Sequence, residues 1–300
     1  MTVSITENSK ALEFHLIDVF TPEPLSGNGL SVFLLEEYPP DHVMQSITRE
    51  MRQFESIFIR QSEDAYRFHA RIFTLEEELP FAGHPVIGAA ALLHSKLFSN
   101  EENARLEFVI QQRVIKVISK RQDQSYIAEM DQGTSAFGPD ISEKASASFL
   151  HALNLDLPDR VPDLPLQVVS TGLPYLIVPI RSNLETTRIV VADFEARLAG
   201  VGAKFVYVFD INRFEGRTWD NEGRVEDVAT GSAAGPMAAY LVRHGLASAG
   251  VELRLSQGTF VHRPSEIHAM VHSRAELTVT IGGEVRIVGN GMLNLPEGFI

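Results

Sequence analysis

Two apolar helices set half a chain apart constrain this protein more than any other feature of its sequence. The stretch Arg224–Gly245 reads R-V-E-D-V-A-T-G-S-A-A-G-P-M-A-A-Y-L-V-R-H-G, polar and small as far as Ser232 and apolar from Ala233 to Val242. That pattern predicts a loop feeding a helix that is apolar nearly all round and therefore enclosed by protein. Ser232 reads as its N-cap, Pro236 as tolerated in or beside the first turn, and Gly245 as the left-handed residue past its end. The helix start then directs free N–H groups and a positive dipole end at whatever lies over Gly231 and Ser232, a setting that suits an anion.

Glu76–Leu97 repeats the design as E-E-E-L-P-F-A-G-H-P-V-I-G-A-A-A-L-L-H-S-K-L. A shift of 148 positions (231 minus 83) lays Gly83 on Gly231, His84 on Ser232, Ala90 on Ala238 and Leu93 on Leu241. Pro85 then occupies the first helical position, where proline is most readily accepted. The offset is close to half of the 300 residues. Both that offset and the shared acidic prefix are independent of helix composition, and they favour an internal duplication.

Around these helices the chain reads mainly as short strands. Strand patterns cover 12–20, 30–35, 56–60, 66–73, two runs within 105–130, two within 166–180, 204–209, 212–219, 251–256, 267–272, 276–281 and 284–288. Helical spacing covers 41–54, with Asp41 as N-cap and Val43, Ile47 and Met51 on one stripe, and also 142–153 and 184–198, the last with a break allowed near Asp193. The polar run 131–139 reads as a hinge. The expected fold is α+β: two pseudo-symmetric domains, 1–130 and 131–284, with the strand near 285–300 returning to the first. Each is a barrel-like, mostly antiparallel sheet around a central helix.

Composition excludes several function classes. With 26 basic and 39 acidic residues the formal charge is -13, which disfavours nucleic acid and anionic membranes as partners. Cysteine is absent, so thiolate catalysis, disulfides and cysteine-based metal sites fall away. The start lacks a basic segment followed by an apolar run, and no stretch is long enough to span a bilayer; a cytoplasmic protein is expected. No phosphate-loop or dinucleotide fingerprint occurs, so no cofactor is expected. His262, His268 and His272 lack a carboxylate cluster, so no metal is expected either. Ser232 lacks the G-x-S-x-G spacing of a nucleophile elbow, because Thr230 and Ala234 flank it where glycines belong.

Acid/base chemistry remains. Two helix N-termini facing one cleft would hold carboxylate or oxyanion charge, with His84 and Asp227 moving protons, which favours isomerisation or epimerisation over hydrolysis. The bland alternatives are a capping role for His84 and a loop carboxylate bonding nearby N–H groups for Asp227. Glu55, at the start of a strand, reads by itself as a solvated edge residue.

Six segments together resemble the PhzF-like family of phenazine biosynthesis. They are Leu16–Leu34, Glu55-Ser-Ile-Phe58, Glu78-Leu-Pro-Phe-Ala-Gly-His-Pro85, Ser170-Thr-Gly-Leu-Pro-Tyr175, Glu226–Pro236, and Gln257-Gly258 with Arg263-Pro-Ser265. The resemblance implies a diaminopimelate-epimerase-like fold with the site between the domains. In that relative cysteines occupy the two helix starts, where this chain has His84 and Ser232, so two-thiol racemisation is excluded.

The resemblance further implies cofactor-free isomerisation of a small anionic metabolite, of the trans-2,3-dihydro-3-hydroxyanthranilate type. Glu55 matches the proton-moving glutamate, while His84, Asp227 and Ser232 match polar residues around the substrate. Gly83, Gly231, Thr230 and Asn28 complete the expected contacts. Phe54 and Val228 depart from the family pattern, so the substrate is left open. A binding protein without turnover, or an epimerase or lyase of another small acid, are the alternatives. Free strand edges and family habit point to a homodimer. Enclosure beside Phe54 and Ile57 is expected to let Glu55 hold a proton.

Overall fold

The computed structural model describes residues 9–296 apart from Arg274. The chain divides into two compact units, residues 1–130 with 284–300, and residues 131–283. In the first unit the strands are β1 (Ser9–Val19), β2 (Asn28–Leu35), β3 (Glu55–Gln61), β4 (Arg67–Thr74), β5 (Glu78–Leu79), β6 (Asn103–Ile110), β7 (Arg113–Arg121) and β8 (Tyr126–Thr134). Its helices are α1 (Asp41–Met51) and α2 (Gly83–Leu97). In the second unit the strands are β9 (Ala136–Asp140), β10 (Gln167–Ser170), β11 (Pro174–Ile180), β12 (Phe205–Asp210), β13 (Glu215–Arg217), β14 (Glu252–Gln257) and β15 (Ser265–Val271), while β16 (Thr278–Pro296) starts in the second unit and continues in the first from Glu284. The helices of the second unit are α3 (Glu143–Ala152), α4 (Phe194–Gly200) and α5 (Gly231–Arg243).

The duplication is present in the hydrogen bonding. β2–β3 is parallel, β3–β4 antiparallel, β4–β6 parallel, and β6–β7 and β7–β8 antiparallel. The second unit runs through the same series, with β11–β12 parallel, β12–β13 antiparallel, β13–β14 parallel, and β14–β15 and β15–β16 antiparallel. In the first unit the late residues of β16 pair with β1, and β8 neighbours β16, so eight strands close into a ring. Closure removes the free edges expected there.

Each unit wraps its strands around one buried helix. Every residue of α2 from Gly83 to His94 is buried, and it packs on β1, β2, β3 and β7. In α5 every residue from Ala233 to Val242 is buried, and it packs on β10, β11 and β15. A second apolar layer covers the other face of the strands. In the first unit Val43, Met44 and Ile47 of α1 meet Phe33, Phe58 and Phe73, with Phe33 and Phe58 stacked at 4.7 Å. In the second, Phe149 and Leu150 of α3 and Phe194 and Leu198 of α4 meet Leu176, Val178 and Val208. Covered on both faces, β3 and β11 read as continuous apolar runs instead of alternating ones.

Several local expectations are corrected. Thr230, not Ser232, is the N-cap of α5, and Pro236 lies inside the helix beyond its first turn. α2 begins at Gly83, which puts Pro85 third; its missing N–H still falls among the four that have no partner in a helix. α1 starts after Pro40 and ends at Met51, because Arg52 turns left-handed. The helix read over 184–198 is broken into a 3-10 turn at Leu184–Thr186 and α4. The run 131–139, where the division between the units begins, is carried by β8 and β9, and the two last strands are one long β16. Gly245 is left-handed as expected, and Ser142 caps α3 by accepting from the Ala145 N–H.

Gly258 tests the packing of the second unit. Its φ is +85°, and a Cβ there would overlap the Arg263 carbonyl oxygen and approach that of Val228 to 2.7 Å. Gly245, with φ +76°, has open space around it. Gly258→Ala should therefore cost about 2–5 kcal/mol, against about 1–2 kcal/mol for Gly245→Ala. Urea unfolding followed by the fluorescence of Trp219, the sole tryptophan and a buried residue of this unit, measures the difference.

Candidate active site

In the first unit the strand ladder brings Glu55 beside the start of α2. Glu55 opens β3 and pairs with Leu30 of β2 on one side and Thr74 of β4 on the other. Its Oε2 lies 3.3 Å from His84 Nε2, with side chains only 12% and 6% exposed. The His84 ring also bonds the backbone carbonyl of Gly29, next to the buried Asn28. Two influences oppose each other on that ring. A neighbouring carboxylate would raise its pKa, whereas burial lowers it to about 3 despite the Gly29 bond. Burial wins because the ring is fully enclosed, so His84 is neutral near pH 7.

A neutral ring that donates to Gly29 presents an Nε2 lone pair toward Glu55. His84 Nε2 and Glu55 Oε2 thus face each other at 3.3 Å in an enclosed pair. Gly83 and His84 form the first turn of α2, whose N-cap, Ala82, supplies no side-chain cap. The first N–H groups of the helix are therefore available to an anion.

In the second unit Asp227 is held by its neighbours. The Thr230 hydroxyl donates to Asp227 Oδ2, and the Asp227 N–H bonds the Thr218 carbonyl at 3.0 Å. Gln257 binds the loop from beneath. Its Nε2 donates to the Asp227 carbonyl at 2.9 Å and to Thr230 Oγ1 at 3.0 Å, and its Oε1 accepts from the Thr230 N–H at 3.1 Å. Ser232 does not cap the helix; its hydroxyl pairs with Tyr175 OH at 2.7 Å. Gln132 Nε2 donates to the Gly231 carbonyl at 2.8 Å, and its Oε1 accepts from the Thr171 hydroxyl at 3.0 Å. A Cβ on Gly235 would overlap that same Oε1, which explains a glycine within an otherwise alanine-rich helix.

Glu55, His84, Gly83 and Asn28 thus belong to one unit, and Asp227, Thr230, Gly231 and Ser232 to the other. Thr230 is buried and spends its hydroxyl on Asp227 and Gln257, so it positions a carboxylate. Phe54 is 37% exposed, whereas Ser56 and Ile57, which follow Glu55, are buried. Sequence reasoning assigned no role to Tyr175, Gln257, Gln132 or the Gly29 carbonyl. Tyr175 and Gln257 stand next to Pro174 and Gly258, turn residues whose chain neighbours are fixed in direction, and that was the available signal.

Comparison with known proteins identifies the family. Residues 17–291 match the PhzC-PhzF family, described as phenazine biosynthesis-like protein. The chain belongs to this family. It is 34% identical to a trans-2,3-dihydro-3-hydroxyanthranilate isomerase of Pseudomonas fluorescens, over 92% of this chain and 95% of that one. A Pseudomonas aeruginosa structure described as a predicted epimerase superposes with a TM-score of 0.88 at 46% identity, covering 94% of this chain and 99% of that chain. A hydroxyproline epimerase of Agrobacterium vitis shares the fold alone, with a TM-score of 0.62 at 11% identity, covering 98% of this chain and 94% of that chain. The fold is the expected two-domain, epimerase-like α+β fold, and this PhzF-family chain is an isomerase. Among the described residues no helix is long and apolar enough to cross a membrane.

The depressed pKa of His84 has a consequence for stability. In the unfolded chain a histidine titrates near ~6.5, whereas in the folded chain His84 stays neutral down to about 3. Between those values the unfolded state binds a proton that the folded state does not, so stability is lost as pH falls through the window. His84→Asn should flatten the dependence of unfolding free energy on pH between ~6 and ~4 by close to one proton. Urea titrations of both proteins across that range check it; equal slopes would show that the folded ring is protonated.

Proposed function

We propose that this isomerase moves a proton between carbon atoms of a small carboxylate-bearing substrate, with Glu55 as the acid/base group and no cofactor. The observation that carries the reading is the enclosed Glu55–His84 pair, 3.3 Å apart, at the uncapped start of a buried helix. A carboxyl set against a neutral imidazole can give a proton to one carbon and recover another from a second carbon. One C–H bond breaks and one forms, Glu55 returns to its starting state, and the balance closes without oxidant or reductant.

The helix N-termini at Gly83–His84 and Gly231–Ser232 suit the negative charge of the substrate carboxylate and of the electron-rich intermediate. In this reading Asn28 adds a polar contact beside Glu55, and Asp227 and Ser232 are the polar anchors at the second helix start. The P. fluorescens relative names a candidate, trans-2,3-dihydro-3-hydroxyanthranilate, which carries both a carboxylate and transferable ring protons. The departures at Phe54 and Val228 leave room for a different acid of the same class.

The register of the duplication favours a single proton-moving group. The parallel ladder that pairs Leu30 with Glu55 in the first unit pairs Tyr175 with Phe205 in the second, so Phe205 stands where the duplicate of Glu55 would be. We also place the enzyme in the cytoplasm as a homodimer, for which β9, the terminal strand of its sheet, offers backbone groups. Light scattering at micromolar concentration should give twice the chain mass.

Replacing Glu55 by Gln keeps size and polarity but removes the base. Incubation of candidate acids in deuterated water should place deuterium on carbon with the wild-type protein. Glu55→Gln should slow that incorporation by ~10²–10⁴-fold while the ligand still binds by calorimetry. Wild-type incorporation rates in the variant would sink the mechanism.

A further inference from the structure

The acidic residue that precedes each buried helix has a partner of the same kind in both halves. In the first unit Arg71 of β4 grips Glu78, Nε to Oε1 at 2.8 Å and Nη2 to Oε2 at 2.5 Å. In the second, Arg217 of β13 grips Glu226 through the same atoms at 2.8 Å and 2.6 Å. Glu78 moved by the helix offset of 148 is Glu226, so each glutamate stands five positions before its helix (83 minus 78, 231 minus 226). The arginines also correspond. Arg71 faces Phe58 and Arg217 faces Val208, each three rungs along from Glu55 and Phe205.

The surroundings repeat as well. Two residues after each arginine comes an aromatic, Phe73 or Trp219, with its ring centroid 5.3 Å or 4.8 Å from the guanidinium carbon. That aromatic is the residue which pairs with the glutamate across the sheet, Phe73 with Glu78 and Trp219 with Glu226. The remaining nitrogen, Nη1, reaches the crossover between the two parallel strands. In the first unit it meets Asp41 of α1 at 2.7 Å, and in the second the carbonyls of Leu184 and Thr187 at 2.7 Å and 3.1 Å.

Exposed arginine–glutamate pairs contribute little and have no reason to recur. These are bidentate, and the second is shielded, with side chains 9% and 8% exposed. We propose that the two clamps are positioning devices for the two helix starts, and that Arg217 through Glu226 sets the place of Asp227, the next residue in the chain. The proposal rests on the reading of Asp227 and the helix N-termini as substrate-handling groups. A guanidinium fork fixes both the distance and the angle of a carboxylate, which a lysine holding one oxygen does not. By tying strand, loop and crossover to one planar group, each clamp removes the freedom the loop would otherwise bring to the helix entrance.

The test uses the full chain with Glu226→Gln, Arg217→Lys and Glu78→Gln. Glu107→Gln, which breaks the exposed Arg67–Glu107 pair on β4 and β6, is the control. Amide hydrogen exchange over 226–232 should quicken roughly tenfold or more in Glu226→Gln and Arg217→Lys, while amides of β11 and β12 keep their protection. Turnover of the dihydro-hydroxyanthranilate, read as carbon-bound deuterium, should fall about tenfold or more in kcat with KM within about threefold. Glu78→Gln lies in the more exposed clamp and should do the same over 79–84; Glu107→Gln should change neither readout.

The proposal is overturned if exchange over 226–232 is unchanged, or quickens only together with β11 and β12. It is equally overturned if kcat stays within twofold of wild type. Should a second-unit variant fail to fold, Glu78→Gln decides by the same criteria over 79–84. Should the wild-type protein not turn over the substrate, the functional reading falls, and hydrogen exchange alone decides the clamp.

Discussion

A helix without a polar face has to be surrounded, and the rest of this structure follows from enclosing two of them. Each of α2 and α5 is buried along its length, so only its ends can meet anything other than core. Strands must pass on every side of it, which favours a curved sheet over a flat one, and the eight-stranded ring of the first unit is that solution. The N-terminal turn then becomes the one place where backbone N–H groups lie within reach of a ligand. His84 and Ser232 sit in that turn, while farther along α2 Gly88 approaches Leu30 and Val19 so closely that a Cβ would lie 2.7 Å and 2.9 Å from their methyl groups.

The same enclosure governs the electrostatics. Once the His84 ring is buried, its protonation becomes too unfavourable for a nearby carboxylate to rescue. Glu55 is not left on an open strand edge. Here its direction is set by β3 and its partner by α2, two elements brought together by the packing of the first unit. On the proposed reading, catalysis depends on packing as much as on the identity of the acid.

Much of this was legible in the chain, for definite reasons. An apolar helix advertises itself by composition, and the 148-residue offset survives into the register of both helix starts, with N-caps at Ala82 and Thr230. Cap positions were less legible, because Ser232 is a better N-cap by residue type than Thr230, and tertiary bonds to Tyr175, Asp227 and Gln257 decided otherwise. Glu55 was invisible to local pattern, since nothing within β3 records that His84, 29 positions on (84 minus 55), will lie against it; only the likeness of several segments to a known family marked it. The acidic prefixes stand out in the sequence but carry only loop character there. Their glutamates answer arginines seven and nine positions earlier (78 minus 71, 226 minus 217), spacings that no helix or strand period reveals.

The two halves have kept their frame and diverged in their chemistry. Strand order, parallel and antiparallel steps, helix starts and arginine clamps correspond, so the scaffold could hold the same reactive group twice. Instead His84 faces Glu55, while Ser232 faces Tyr175, whose ladder partner is the apolar Phe205. A racemase that inverts one carbon gains from two opposed bases, one to remove the proton and one to deliver it from the other side. A proton carried from one carbon to another on the same side needs a single group that both takes and gives. On the proposed reading, one carboxyl–imidazole pair with a hydroxyl pair at the duplicate position serves the second kind of transfer. Its hydroxyls can hold a carboxylate by donation, but near neutral pH they are poor bases.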